Sequence, residues 1–109
     1  MDEHEFQQRC DAALEDLRKR LGELGEEHDF EVEGGSGKLE IQFEEPEDVR
    51  FVISPNAPVR QIWISALTTS FKLGWSDEAQ AFVLGKTGET LDQVMGRILS
   101  QQLGAPVTL

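Results

Sequence analysis

An α+β fold of two layers is predicted, an antiparallel sheet of five to six strands with N- and C-terminal helices packed on one face. Three observations predict it. Apolar residues recur at three- and four-residue steps near both ends of the chain. Between them lie short segments in which apolar and polar residues alternate, and the breaks between those segments are brief and rich in Gly, Pro, Asn and Asp. A chain of 109 residues suits one domain, expected over residues 1–109, with a core large enough to fold unaided.

The first helix is predicted over about residues 3–22, where Phe6, Cys10, Ala13, Leu14, Leu17 and Leu21, with Leu24 beyond, form one stripe. Asp2 with Glu5 makes a capping box, and Gly22 and Gly25 mark the exit. On the outer face, Glu15 with Lys19 and Asp16 with Arg20 stand four residues apart as ion pairs. Asp11 and Glu15 are like charges one turn apart, a repulsion that a cation or a basic partner would relieve.

Asp29 to Glu33 alternates strictly, Gly34-Gly35-Ser36-Gly37 breaks the chain, and Lys38 to Glu44 alternates again, the pattern of a hairpin. Pairing Glu33 with Lys38 would set Glu31 opposite Glu40, Phe30 opposite Ile41 and Asp29 opposite Gln42, with every apolar side chain on one face. Asp29, Glu31 and Glu33 would then stand roughly 7 Å apart along the strand. Glu23, Glu26, Glu27 and His28 from the preceding connection extend them into an acidic ridge. Charged residues on an edge strand also guard against edge-to-edge aggregation, an alternative that needs no ligand.

A turn over Glu44-Glu45-Pro46-Glu47-Asp48 leads to a third strand, Val49 to Ile53, and a rigid turn, Ser54 to Pro58. In Val59 to Ser65, Ile62 and Ile64 must point to the core, so Gln61, Trp63 and Ser65 face the other way. A Trp on the wet side of a sheet is either half-covered by a loop or by Lys72, or an anchor for a partner. Residues 68–75 and 80–84 make two more strands. Thr90 with Gln93 then caps a second helix whose stripe is Leu91, Val94, Met95, Ile98, Leu99 and Leu103, stopped by Gly104 and Pro106.

The charge is local. Residues 1–48 hold 17 acids against 5 bases, and residues 49–109 hold 4 against 5, so the net charge of -11 belongs to one region. Such a balance disfavours nucleic-acid binding. Clustered carboxylates are hard ligands suited to Fe²⁺, Fe³⁺, other divalent ions or lanthanides, and a line of them on an open surface leaves water on the ion, so affinity and selectivity are expected to be modest. The single Cys10 lies on the apolar stripe and supplies no disulfide framework, soft-metal cluster or exposed nucleophile. No phosphate loop or catalytic pairing is present, and no enzyme activity is expected. The acidic start, Met1-Asp2-Glu3-His4-Glu5, is unlike a signal or transit peptide, and a cytoplasmic location is expected.

Taken together, the acidic helix, the acidic strand Asp29–Glu33, the Gly-rich turn, Gln61-Ile62-Trp63-Ile64-Ser65, Trp75 and the Gly88-Glu89-Thr90-Leu91 helix entry resemble the frataxins, in particular their short bacterial form, over essentially the whole chain. The resemblance implies an iron-binding accessory protein of iron–sulfur cluster assembly that docks on the cysteine desulfurase and scaffold protein. It is expected to be a monomer, with iron-driven oligomerisation left open. Carried over by position, the metal ridge is Asp11, Glu15, Glu23, Glu26, Glu27, Asp29, Glu31 and Glu33, and the partner surface is Gln61, Trp63 and Lys72. Gly22 and Gly25 stand where bacterial members often carry acids, and Lys72 where Arg or His is frequent. The rival reading is an acidic interaction module for a basic partner, with metal binding incidental.

Overall fold

Helix α1, Glu3–His28, opens the chain in a computed structural model that describes residues 1–35, 37–44 and 47–109. Six strands follow as β1 (Phe30–Gly35), β2 (Lys38–Phe43), β3 (Val49–Asn56), β4 (Gln61–Ala66), β5 (Thr69–Ser76) and β6 (Ala81–Leu84), and helix α2, Leu91–Leu103, closes the fold. The strands pair in chain order as one antiparallel meander. Both helices cover one face, which is the expected two-layer arrangement.

α1 runs past its expected end. A glycine inside a helix costs about 1 kcal/mol relative to alanine, yet Gly22 and Gly25 both lie within it, because Leu21 and Gly25 are buried there and Leu24 packs on the same core. The helix ends instead at Asp29, a left-handed C-cap (φ 57°) whose N–H donates to the Gly25 carbonyl. At the other end Asp2 accepts a hydrogen bond from the Glu5 N–H at 2.7 Å. The Glu5 carboxylate turns to Arg9 at 3.1 Å, so the expected box is a one-sided cap.

The hairpin register also differs. Gly35 pairs with Lys38, Glu33 with Glu40, Val32 with Ile41, Glu31 with Gln42 and Phe30 with Phe43. This is a slip of two residues from the expected pairing, and a slip of two keeps every side chain on its face. Hydrophobic patterning therefore could not distinguish the two registers. Ser36 of the expected Gly-rich turn, and Glu45 and Pro46 of the next one, lie outside the described residues.

β3 continues through the expected turn to Asn56, with Pro55 paired to Ile62. A 3₁₀ turn, Ala57–Val59, ends at left-handed Arg60 (φ 54°), which delays β4 to Gln61. β4 and β5 are joined at the pair Ala66 and Thr69, with Leu67 (φ 53°) and Thr68 (φ 61°) both left-handed between them. That geometry matches the strand twist but normally selects Asn or Gly.

The core gathers Phe6, Cys10, Leu14, Leu17 and Leu21 of α1, the inward residues of the sheet from Phe30 to Phe82, and Leu91, Val94, Met95, Ile98 and Leu99 of α2. Phe43 bridges Phe30 and Phe51 with ring centroids 5.3 and 4.8 Å away. α2 carries the full capping box of Thr90 and Gln93 and ends at left-handed Gly104, both as expected. Beyond it the chain folds back so that the Val107 N–H donates to Ser100 Oγ (2.8 Å), and that hydroxyl donates to the Gly96 carbonyl (2.7 Å). Ser100→Ala would leave the N–H of buried Val107 without an acceptor, at a cost of about 1–3 kcal/mol. A denaturation midpoint unchanged by that substitution would show that water replaces the hydroxyl and that the tail is not fastened there.

Candidate functional site

Lengthening α1 to His28 moves Glu23, Glu26 and Glu27 from a connection onto the last turns of a helix, where all three are exposed. The C-terminal end of a helix is its negative pole. Acids there are misplaced electrostatically, and the last turn offers only His28, whose Nε2 lies 4.0 Å from Glu27. Asp29 caps the helix, and Glu31 and Glu33 follow on β1 with their side chains exposed. Among the described residues Glu23, Glu26, Asp29, Glu31 and Glu33 form no ion pair.

Of the remaining ridge residues, Glu15 is ion-paired and Asp11 is hydrogen-bonded to a neutral amide. Glu15 accepts from Arg18 Nη2 at 2.6 Å and Nε at 3.1 Å, rather than from the expected Lys19. That hydrogen-bonded pair holds the Glu15 carboxyl below the usual carboxylate range. Asp11 accepts from the Gln7 amide at 2.8 Å, and Asp16 pairs with Arg20 as expected, at 2.6 Å. Asp11 and Glu15 line a depression of about 410 Å³ together with Arg18 and Lys38, so two cations sit where a metal would compete. The ridge thus divides into a stretch at residues 11–15 that shares its surface with two cations and a largely uncompensated one at residues 23–33, where His28 beside Glu27 is the one ion-pair partner among the described residues.

Within the uncompensated stretch, a depression of about 440 Å³ is lined by Glu26, Asp29, Glu31, Gln42 and Glu44. Glu44 is absent from the expected ridge. The correct register brings it in, since Phe30 opposite Phe43 carries the end of β2 toward Asp29, where the expected pairing had placed Gln42. Among the described residues the one cross-strand pair of acids is Glu33 with Glu40, not Glu31 with Glu40, and Lys38 lies 3.5 Å from Glu40. Among the described residues no three His, Cys, Asp or Glu side chains converge on a point that could hold one ion. Exposed carboxylate oxygens spread along an edge fit a hard cation that keeps most of its water, and they do not fit a closed chelate.

Glu26→Gln removes one charge from the helix's negative pole and should stabilise the metal-free protein by about 0.3–1 kcal/mol at low ionic strength. Glu31→Gln should act in the same direction, each raising the melting temperature by a few degrees, on the order of 2 °C. A fall on either substitution would mean that the carboxylate holds structure through hydrogen bonds.

On the sheet face turned away from the helices Trp63 is half-buried, its partners across the ladder being Ser54 on β3 and Lys72 on β5. The indole N–H donates to Gln61 Oε1 at 2.8 Å, and Lys72 Nζ lies 4.8 Å from the ring centroid. The structure thus brings Gln61, Trp63 and Lys72 together as one cluster. Trp75 is different, turning to the inner face, where it packs edge-on against Phe82 (5.2 Å) under the Arg9 guanidinium (4.3 Å).

An unbroken six-stranded meander under two helices, acidic along one edge, is the fold of the frataxins. A frataxin-like domain model matches residues 1–105, and the chain belongs to that family. The iron-sulfur cluster assembly protein CyaY of Pseudomonas fluorescens (strain Pf0-1) is 25% identical over 93 residues, 84% of this chain and 83% of that protein. The protein of the same name from Pseudomonas putida (strain W619) is 28% identical over 101 residues, 93% of this chain and 86% of its own. The solved frataxin of Psychromonas ingrahamii shares the fold with a TM-score of 0.76 at 18% identity, over 99% of this chain and 97% of that one.

Proposed function

We propose that this protein serves iron–sulfur cluster assembly as an accessory that binds Fe²⁺ or Fe³⁺ weakly on its acidic edge and docks on the cysteine desulfurase and scaffold protein. Family membership and the names of its relatives support the pathway. The observation that carries the iron reading is that, among the described residues, Glu23 and Glu26 near the negative pole of α1, Asp29 at its cap, and Glu31 and Glu33 on β1 form no ion pair. Such a surface concentrates cations without enclosing them, which suits delivery or sensing better than storage. Asp11 and Glu15 belong to its margin, since a metal there must displace Arg18. The docking surface is the sheet face about Gln61, Trp63 and Lys72, where an aromatic anchor stands under one cation among otherwise small, uncharged neighbours.

No catalysis is assigned to the chain itself. Cys10 is buried, and burial, helped by the Asp11 charge, pushes its thiol up to about 11, so it keeps its proton at neutral pH. No helix among the described residues is long and apolar enough to cross a membrane. We place the protein in the cytoplasm as a monomer of one domain.

Titration with Fe²⁺ under anaerobic conditions, followed by backbone NMR, tests the iron reading. Perturbations should concentrate in residues 23–33 and at Glu44, reach residues 11–15 more weakly, and shrink at high salt. Broadening centred on Cys10 or on residues 86–97 would overturn it. That no three candidate ligands converge among the described residues favours a second reading, in which the edge binds a basic protein surface and metal is incidental. Under that reading the edge would bind the desulfurase equally well with and without Fe²⁺, and ridge substitutions would weaken that binding without altering iron titrations.

A further inference from the structure

Within the docking reading just proposed, we infer that Gln61 and Lys72 are positioning residues that act through Trp63, fixing the indole in a single presented orientation before a partner arrives. The sheet supplies little other support for the ring. Strand periodicity puts Ser54, Asn56, Ser65, Ser70 and Gly74 around Trp63 on the outer face, and none of these reaches the height of an indole. Two contacts remain. The Gln61 carboxamide, two residues earlier on the same strand and face, accepts the indole N–H at 2.8 Å, which sets the direction of the ring edge. The Lys72 ammonium, directly across the ladder, stands 4.8 Å from the centroid, over one π face of the ring.

A half-buried aromatic held this way has lost its rotamer freedom in the free protein, so binding need not supply that ordering cost. Lys72 is also bound by its geometry to the ring and not only to whatever docks there. A cation over a ring at an exposed site contributes about 0.5–1 kcal/mol, which corresponds to roughly two- to fivefold in affinity. Losing the acceptor at Gln61 frees the indole N–H to water and removes the directional restraint, with an effect of the same order.

The test combines ¹⁵N relaxation of the two indole N–H groups in the free protein with titration of the desulfurase–scaffold complex. Trp75, whose N–H donates to Asp77 at 2.9 Å, is the internal control. Lys72→Gln and Gln61→Met should each lower the order of the Trp63 indole, leave that of Trp75 unchanged, and weaken binding about two- to fivefold. Lys72→Arg, which keeps the cation over the ring, should restore both readings. In a Trp63→Ala background Lys72→Gln should have little further effect on affinity. The proposal is overturned if the indole stays equally ordered without Lys72 and Gln61, or if Lys72→Gln weakens binding as much when Trp63 is absent, since Lys72 would then touch the partner itself. Binding that survives Trp63→Ala intact would instead remove the docking reading, while indole relaxation in the free protein would still decide whether Gln61 and Lys72 hold the ring.

Discussion

Gly25→Ala should destabilise the protein by about 2–3 kcal/mol, although alanine is the best helix former and glycine a poor one. A Cβ at this position would lie 2.5 Å from the carbonyl oxygen of Phe30 and 3.3 Å from its ring, and the first of these is backbone that cannot swing aside. The same corner is closed from the other direction by the Asp29 N–H, which donates to the Gly25 carbonyl. Gly22 is the matched control. A Cβ there meets nothing within 4 Å, so Gly22→Ala should stabilise by about 0.5–1 kcal/mol. Chemical denaturation of the two variants side by side measures both signs. Equal effects would show that the helix-to-strand corner is loose enough to absorb a methyl group. The corner matters for function because it sets Glu26 and Asp29 beside Glu31. An intact fold with α1 pushed outward should therefore also show weaker iron-induced shifts at residues 26–31.

Trp63→Ala should leave the fold nearly intact, costing about 1 kcal/mol against the roughly 3–5 kcal/mol of emptying a core Trp site. Its affinity for the desulfurase–scaffold complex should fall by about 2 kcal/mol or more, some thirtyfold. The environment of the ring explains the first figure: the indole stands on the open side of the sheet, half-buried, touching Gln61 and Lys72 and no part of the core. Trp75→Ala removes a ring that packs on Phe82 in the core and should be the more destabilising of the two. Binding unchanged by Trp63→Ala, or outright unfolding of that variant, would leave the acidic edge as the one functional surface. Charge substitutions on that edge act differently, slowing association with a basic partner and lowering its salt dependence while leaving the dissociation rate little changed.

Periodicity was enough to read the layers. The α1 stripe from Phe6 to Leu21, the alternation in β1, β2 and β4, and the α2 capping box are local patterns whose energetic cause, one apolar face per element, is written in consecutive residues. The outward direction of Trp63 followed from the same rule, because Ile62 and Ile64 could not both be buried otherwise. Three features were decided by contacts distant in sequence. Packing against the core carried α1 through two glycines to Asp29, since burial of Leu21 and Gly25 outweighs their propensity cost. A two-residue slip, invisible to a pattern of period two, chose the hairpin register and so brought Glu44 rather than Gln42 to the Asp29 end of the ridge. The left-handed pair Leu67 and Thr68 turns β4 into β5 without the residues such a turn prefers, because the paired strands on either side and the partial burial of Leu67 hold it. The amino-acid sequence by itself determined the charge, its concentration in the first half and the identity of the outward-facing indole. Which of those charges are neutralised was settled only by the fold: Arg18 reaches Glu15 along the helix and Arg20 reaches Asp92 on α2, while among the described residues Glu23, Glu26, Asp29, Glu31 and Glu33 gain no ion pair.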